Sequence, residues 1–300
     1  MTMQPDPVVI VSAARTPMGG FLGDFEEVTA AQLGAAAIRA TLERASLASD
    51  AVDEVIMGCV LQAGQGQAPA RQAALGAGLS QGTVCSTVNK MCGSGMKAAM
   101  FGHDLLLAGS AEVVVAGGME SMSNAPYLLE RARSGYRMGH GRVLDHMFLD
   151  GLEDAYDKGR LMGTFAEDCA QAYGFSREQQ DAFAIASLSR AQQALAEGRF
   201  AAEIVAVEAK IGRELRRIDS DEQPPKARPD KIPTLKPAFR EGGTVTAANA
   251  SSISDGAAAL LLMRESTAAQ RGLKPLARIV SHAVHAQAPP CTLTTSCGSL

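Results

Sequence analysis

Short β-branched runs alternate with helical stretches through the first third of this chain. Residues 8–12 (VVIVS) predict a strand buried on both faces, and residues 29–45 carry apolar side chains at helical spacing. Four more elements are predicted here: strands over 55–61, 83–88 and 112–116, and a helix over 93–108. This order is typical of βαβ units, so it predicts an α/β fold with a mainly parallel sheet.

The middle of the chain, residues 119–249, interrupts this pattern with long polar connections. One helix is well marked there, because Ser176 and Gln179 form a capping box and Gly198 stands at its end. Residues 219–237 hold five of the 13 prolines, which predicts an irregular connection.

Residues 256–263 (GAAALLLM) return to the buried-strand pattern. We therefore expect one α/β domain (1–118 and 250–273) with an insertion (119–249). Residues 276–286 predict the opening strand of a further domain (274–300), which the chain leaves unfinished.

Composition excludes several functional classes. The net charge is −4, which gives no electrostatic basis for binding nucleic acid or an anionic membrane. The apolar runs are too short to span a bilayer, and the first residues do not form a signal peptide. Six cysteines without a CxxC pair favour reduced thiols in the cytoplasm and predict no metal site.

The stretch 86–99 (STVNKMCGSGMKAA) carries the clearest chemical signal. It runs from a strand through a sharp turn at Cys92 into a helix. A cysteine at that place meets the positive end of the helix dipole, which favours the thiolate and suits a nucleophile. A buried structural cysteine beside a helix start fits the same pattern.

A dinucleotide-binding turn is a competing interpretation of the same residues. Gly93, Gly95 and Ala98 partly match its glycine fingerprint. The acidic residue that such a site needs is misplaced, because Glu112 precedes the next strand and Glu120 lies too far beyond it.

Four motifs together resemble the thiolase family, and within it the acetyl-CoA acetyltransferases. They are RTPMGGFLG (15–23), VNKMCGSGMKA (88–98), GGMESMSNAPY (117–127) and GTVTAANASSISDGAAA (243–259). The resemblance covers about residues 7–288. It implies an αβαβα layered sandwich whose first half carries an inserted loop domain.

The resemblance also implies the roles of particular residues. Cys92 would attack a coenzyme A thioester and carry the acyl group, and the inserted domain would bind CoA. The matching CoA-binding positions are Leu152, Met162, Phe239, Ala247, Ser251 and Ile253. No cofactor is implied, since acetyl-CoA, other acyl-CoA and CoA are substrates. The resemblance further implies a homodimer or homotetramer.

The resemblance stops short at the chain's end. The NEAF, GHP and CxGGG motifs of the family are absent, and with them the histidine and second cysteine that move protons. We therefore expect a chain with the second half of the sandwich largely missing and with impaired activity. A non-catalytic CoA-binding fragment is the alternative, and a dehydrogenase is the more distant one.

No other residue replaces the missing acid–base groups in the sequence. His103 lies eleven residues beyond Cys92, about 16 Å along the same helix. His282 and His285 fall on the last predicted strand, and His140 and His146 in the insertion. Cys291 and Cys297 lie in the unpatterned tail. Leu161 stands where some family members carry histidine, so the acyl chain length stays open.

Overall fold

The computed structural model describes residues 6–286, which divide into two compact units. The sheet unit comprises 6–125, 200–222 and 254–282, and the second unit comprises 126–199, 223–253 and 283–286. The strands are β1 (Val8–Arg15), β2 (Gly19–Gly20), β3 (Glu54–Gly58), β4 (Val84–Val88), β5 (Val113–Ser121), β6 (Tyr127–Leu129), β7 (Val143–Asp145), β8 (Val207–Ile211), β9 (Glu214–Ile218), β10 (Ser254–Arg264) and β11 (Ala277–Arg278). The α-helices are α1 (Ala30–Ala45), α2 (Pro69–Gly76), α3 (Ser94–Ala108), α4 (Met162–Tyr173), α5 (Arg177–Ala196), α6 (Gln223–Lys226) and α7 (Glu265–Gln270).

The central sheet is mixed, so the prediction of a mainly parallel sheet was wrong. Its order is β11-β1-β10-β5-β3-β4, with β2 beside β10. Only β3 pairs in parallel, with β4 and β5, while β10 runs antiparallel to β1 and β5. The intervening 126–253 segment explains this direction. β5 ends at Ser121 and β10 starts at the same edge, where Asp255 pairs with Ser121, so β10 must run back.

Helices cover both faces of this sheet. Val113 and Val115 pack in one apolar cluster with the α1 residues Leu33 and Ile38, whereas Val114 packs in another with Leu106 of α3. Because successive strand residues point to opposite faces, α1 and α3 lie on opposite sides. The α/β class predicted from the sequence is thereby confirmed.

Two predicted strands differ from those observed. β5 continues through Gly117 and Gly118 to Ser121, where Gly117 lets β10 approach closely: a Cβ on Gly117 would lie 2.1 Å from the Ala258 carbonyl oxygen. The strand predicted over 276–286 was wrong beyond Arg278. Its two paired residues extend the existing sheet beside β1 instead of opening a new one.

The second unit contains the helix that its capping box predicted. Ser176 and Gln179 exchange side-chain and backbone hydrogen bonds at the start of α5, and Gly198 follows its end with φ +67°. The connection predicted over 219–237 contains α6 and a 3₁₀ turn, Pro229–Thr234. A π-helical turn, Phe148–Leu152, precedes α4.

The observed units divide the chain at different points from the predicted insertion. Residues 200–222 cluster with the sheet, where Arg15 bonds Asp221 at 2.7 and 3.0 Å and Glu203 at 2.7 Å. The assignment of an inserted CoA-binding domain and of a further domain from 274 stays a prediction. Within residues 6–286, no helix is long and apolar enough to cross a membrane.

Candidate active site

Cys92 sits in a tight turn between β4 and α3. Met91, just before it, has φ +49°, a conformation that non-glycine residues adopt only under local constraint. Ser94 supplies that constraint: its hydroxyl accepts a hydrogen bond from the Lys90 N–H at 2.8 Å and donates one to the Met91 carbonyl at 2.5 Å. Asn89 accepts from the Met91 N–H at 2.9 Å. The turn presents Cys92 exposed to solvent.

Glycines let the start of α3 lie directly on the sheet. A Cβ on Gly58, the last residue of β3, would lie 2.5 Å from the Ser94 carbonyl carbon and 2.6 Å from the Gly95 nitrogen. A Cβ on Gly118 of β5 would lie 3.3 Å from the Gly95 Cα. Since no larger residue fits at Gly58, the glycines fix Cys92 at the carboxyl ends of the parallel strands.

The cysteines of the sheet unit differ sharply in their surroundings. Burial, with a smaller contribution from the nearby Glu120 carboxylate, raises the pKa of the Cys59 thiol to about 12. Burial also raises the pKa of Cys85. Cys92 alone among the cysteines of residues 6–286 is classed as exposed, so its thiol is the accessible one. Cys291 and Cys297 lie outside the described residues.

Two carboxylates hold the loops at this edge: Glu120, which sequence reasoning considered only as a misplaced acid of a dinucleotide-binding site, and Asp255, which it did not single out. Glu120 accepts hydrogen bonds from the backbone N–H groups of Val60 and Leu61 at 2.8 and 3.0 Å. Asp255 accepts from the Ser123 hydroxyl at 2.6 Å and from its N–H at 3.0 Å. Burial raises the pKa of Asp255. Each lies at or near the end of a buried strand, a position that could have drawn attention to it.

The six predicted CoA-binding residues lie in the second unit, and Cys92 lies in the sheet unit. Met162 begins α4, and its neighbour Gly163 lies under the Phe239 ring, which a Cβ there would meet at 2.3 Å. Leu152 ends the π-helical turn. The other three lie in one segment, where Ala247 and Ser251 are exposed and Ile253 is half-buried.

Buried acidic side chains fasten the segment 244–253, which we call the AANASS segment. Glu167 of α4 is 3% exposed and accepts hydrogen bonds from the N–H groups of Thr244 and Val245 at 2.8–3.0 Å. Asp181 of α5 accepts from the Asn249 amide at 3.1 Å. A carboxylate on a helix that accepts hydrogen bonds from the backbone N–H groups of a loop holds that loop firmly in position. The segment's exposed residues are thus presented from a fixed backbone.

In the sequence, the histidines are not clustered near Cys92. His146 is buried and pairs with Asp150 at 2.6 Å, whereas His140 is exposed. His282 and His285 do not share a strand, contrary to the prediction, because β11 ends at Arg278.

Comparison with known proteins identifies what this arrangement resembles. A family model described as "Thiolase, N-terminal domain" matches residues 8–266. Acetyl-CoA acetyltransferase of Schizosaccharomyces pombe is 50% identical over 284 residues, 94% of this chain and 72% of the relative. Acetyl-CoA acetyltransferase of Escherichia coli K12 is 52% identical over 279 residues, 92% of this chain and 70% of the relative. That of Pseudomonas aeruginosa is 50% identical over the same length. These matches favour neither a dinucleotide-binding turn nor a dehydrogenase.

Proposed function

Because the chain belongs to the thiolase family, we propose that Cys92 carries the acyl group in its reaction. The protein is an acyltransferase of the acetyl-CoA acetyltransferase type, as its relatives' names indicate. One observation supports the role of Cys92 most directly. It is the exposed thiol in a constrained turn at the start of α3, whereas the neighbouring thiols of Cys59 and Cys85 are shielded and hard to ionise.

The first half-reaction that we propose is nucleophilic attack of Cys92 on a thioester. The Cys92 sulfur attacks the carbonyl carbon of acetyl-CoA, the C–S bond to CoA breaks, and CoA leaves as the free thiol with the proton from Cys92. The product is an acetyl-cysteine. In synthesis, the α-carbon of a second acetyl-CoA loses a proton and attacks the carbonyl carbon of the acetyl group on Cys92. The bond between that carbon and the Cys92 sulfur breaks, the sulfur takes up one proton, and acetoacetyl-CoA is formed. Thiolysis of a 3-ketoacyl-CoA is the reverse of these steps.

CoA recognition belongs to the second unit in this proposal. Leu152, Met162, Phe239 and Ile253 offer apolar surface for the pantetheine arm, and the exposed Ser251 offers a hydroxyl for its amides. The small side chain of Ala247 leaves room for the pantetheine arm. The hydrogen bonds that Glu167 and Asp181 accept from the AANASS segment support this assignment, because a thioester must be held still to react.

The setting of the reaction is part of the same proposal. We assign the enzyme to the cytoplasm as a homodimer or homotetramer, acting on CoA thioesters without a metal or organic cofactor. The four cysteines of the described residues are all free thiols, as expected in a reducing compartment. The names of the relatives favour this catalytic function over a non-catalytic CoA-binding fragment.

Isotope exchange tests the acyl-cysteine without requiring carbon–carbon bond formation. The purified chain is incubated with acetyl-CoA and radiolabelled CoA, and label is followed into acetyl-CoA. We expect exchange by the native chain and by Cys85→Ser, and none by Cys92→Ser. Exchange that survives in Cys92→Ser would contradict the proposed nucleophile.

A further inference from the structure

Two histidines and an aspartate converge on the outer side of α3. His103 Nδ1 lies 3.1 Å from Asp104 Oδ1, and His282 Nε2 lies 2.9 Å from the same oxygen. The two ring nitrogens are 3.3 Å apart, although their residues are 179 positions apart in the chain. Among residues 6–286 this is the one group of three whose potential ligand atoms come together in this way.

The three atoms form a nearly equilateral triangle. Tetrahedral coordination at about 2.0 Å, the usual zinc–nitrogen and zinc–oxygen distance, places neighbouring ligand atoms about 3.3 Å apart. The observed separations of 2.9, 3.1 and 3.3 Å are close to that edge length. One divalent ion could therefore contact all three atoms with little movement of the side chains.

The surroundings also suit a metal ion. The side chains of His103 and His282 are 13% and 24% exposed, while Asp104 is 54% exposed and leaves one side open to water. Two neutral imidazoles and a carboxylate are ligands that zinc accepts.

We propose that His103, Asp104 and His282 form a structural site for Zn²⁺ or a similar divalent transition-metal ion, with water as the fourth ligand. The ion joins the segment after β11 to α3. It takes no part in acyl transfer, since Cys92 lies in the turn before α3 and His103 lies nine residues beyond Ser94, the first residue of α3, which is about 14 Å along the helix. The metal would hold the end of the sheet unit against the helix that presents the nucleophile.

Metal titration of the whole chain tests this site. The cysteines are first alkylated with iodoacetamide to remove thiolate ligands, and Zn²⁺ binding to the metal-free protein is measured by calorimetry. We expect one equivalent to bind. His282→Gln and Asp104→Asn should each weaken binding more than about 10-fold, because losing even an outer-shell partner of a metal costs that much. His140→Gln changes an exposed histidine elsewhere and should bind like the native chain.

Two further readouts decide between a site and non-specific binding. Co²⁺ should give the visible absorption of a four-coordinate nitrogen and oxygen site in the native chain and in His140→Gln, but not in His282→Gln. Zn²⁺ should also raise the melting temperature of the native chain, as any ligand of the folded state does. Absence of stoichiometric binding, or binding unchanged in both His282→Gln and Asp104→Asn, would overturn the proposal.

Discussion

Cys92 differs from the other described cysteines in exposure and surroundings, and this difference predicts selective alkylation. At neutral pH we expect iodoacetamide to modify Cys92 before Cys59 and Cys85. Burial raises the pKa of both of those thiols, which makes their reactive thiolate scarce at neutral pH; the pKa of Cys59 is raised to about 12. Peptide mapping by mass spectrometry measures the three rates.

The same mapping can contradict this expectation. Equal labelling of Cys92 and Cys59 in the folded protein would show that exposure and ionisation do not separate them. Labelling in denaturant provides the control, because there the three thiols should react alike.

The Ser94 hydroxyl stabilises the turn that contains Cys92 through two hydrogen bonds. Ser94→Ala removes the acceptor for the Lys90 N–H and the donor to the Met91 carbonyl. We expect a loss of about 1–3 kcal/mol in the free energy of unfolding, because a partly buried N–H loses its partner. Alkylation of Cys92 should also slow, since Met91 is no longer held at positive φ. Urea denaturation and labelling kinetics measure the two effects.

Ser134→Ala is a matched control for this substitution. The Ser134 hydroxyl is exposed and makes one hydrogen bond, to the Arg131 carbonyl at 3.3 Å. A stability loss in Ser134→Ala as large as that in Ser94→Ala would count against a special role for the turn.

At the scale of elements, the contact between β3 and α3 fixes where Cys92 stands. Gly58→Ala places a methyl group 2.5 Å from the Ser94 carbonyl carbon, so α3 must shift or β3 must bend. We expect about 1–3 kcal/mol of destabilisation, typical of an overpacked site, and slower acyl exchange through Cys92. Gly82→Ala is the control, since its Cβ would meet only the Ser80 hydroxyl, at 3.5 Å. Equal exchange rates in the two variants would refute this account of the contact.

In the second unit, α4 and the AANASS segment depend on Glu167. Glu167→Gln keeps the shape but loses the charge and places an NH₂ group among backbone donors, which weakens hydrogen bonds worth about 1.5–3 kcal/mol. We expect weaker CoA binding by calorimetry with unchanged alkylation of Cys92. Glu197→Gln, a half-exposed site that pairs with Arg199, should leave CoA binding unchanged. Unaltered CoA affinity in Glu167→Gln would contradict the proposed role of the segment.

Local sequence signals predicted individual elements well. The capping box of α5, the apolar spacing of α1 and the turn before α3 all depend on residues within a few positions of one another. Contacts between residues that are far apart in the sequence were not predictable from such local signals. Arg15 reaches Asp221 across 206 positions, and β10 joins the sheet only after the second unit. The antiparallel direction of β10 and the His103–His282 contact both depend on the chain coming back to the sheet after the second unit. No local sequence pattern encodes that return of the chain.

At the scale of the whole molecule, the candidate site likewise combines residues that the sequence predicted with residues that it did not. The turn around Cys92 suggested a nucleophile but also fitted a structural cysteine, and the roles of Cys92 and of the CoA-binding residues came from resemblance to a family. Asp255 and Glu167 were not singled out, and Glu120 was considered only for a dinucleotide-binding site, because a carboxylate in sequence does not reveal that it will meet backbone N–H groups elsewhere in the fold. The chain spans about 70% of the length of the relatives it matches.

The acyl group on Cys92 is the central claim, and its direct observation is the decisive measurement. The native chain is mixed with acetyl-CoA, quenched in acid and digested, and the peptides are mapped by mass spectrometry. The account predicts one acetyl group as a thioester on the peptide that contains Cys92, and none on that peptide in Cys92→Ser. An acetyl thioester found instead on Cys59, Cys85 or Cys169, or no acetyl thioester on any cysteine of folded protein, would contradict it.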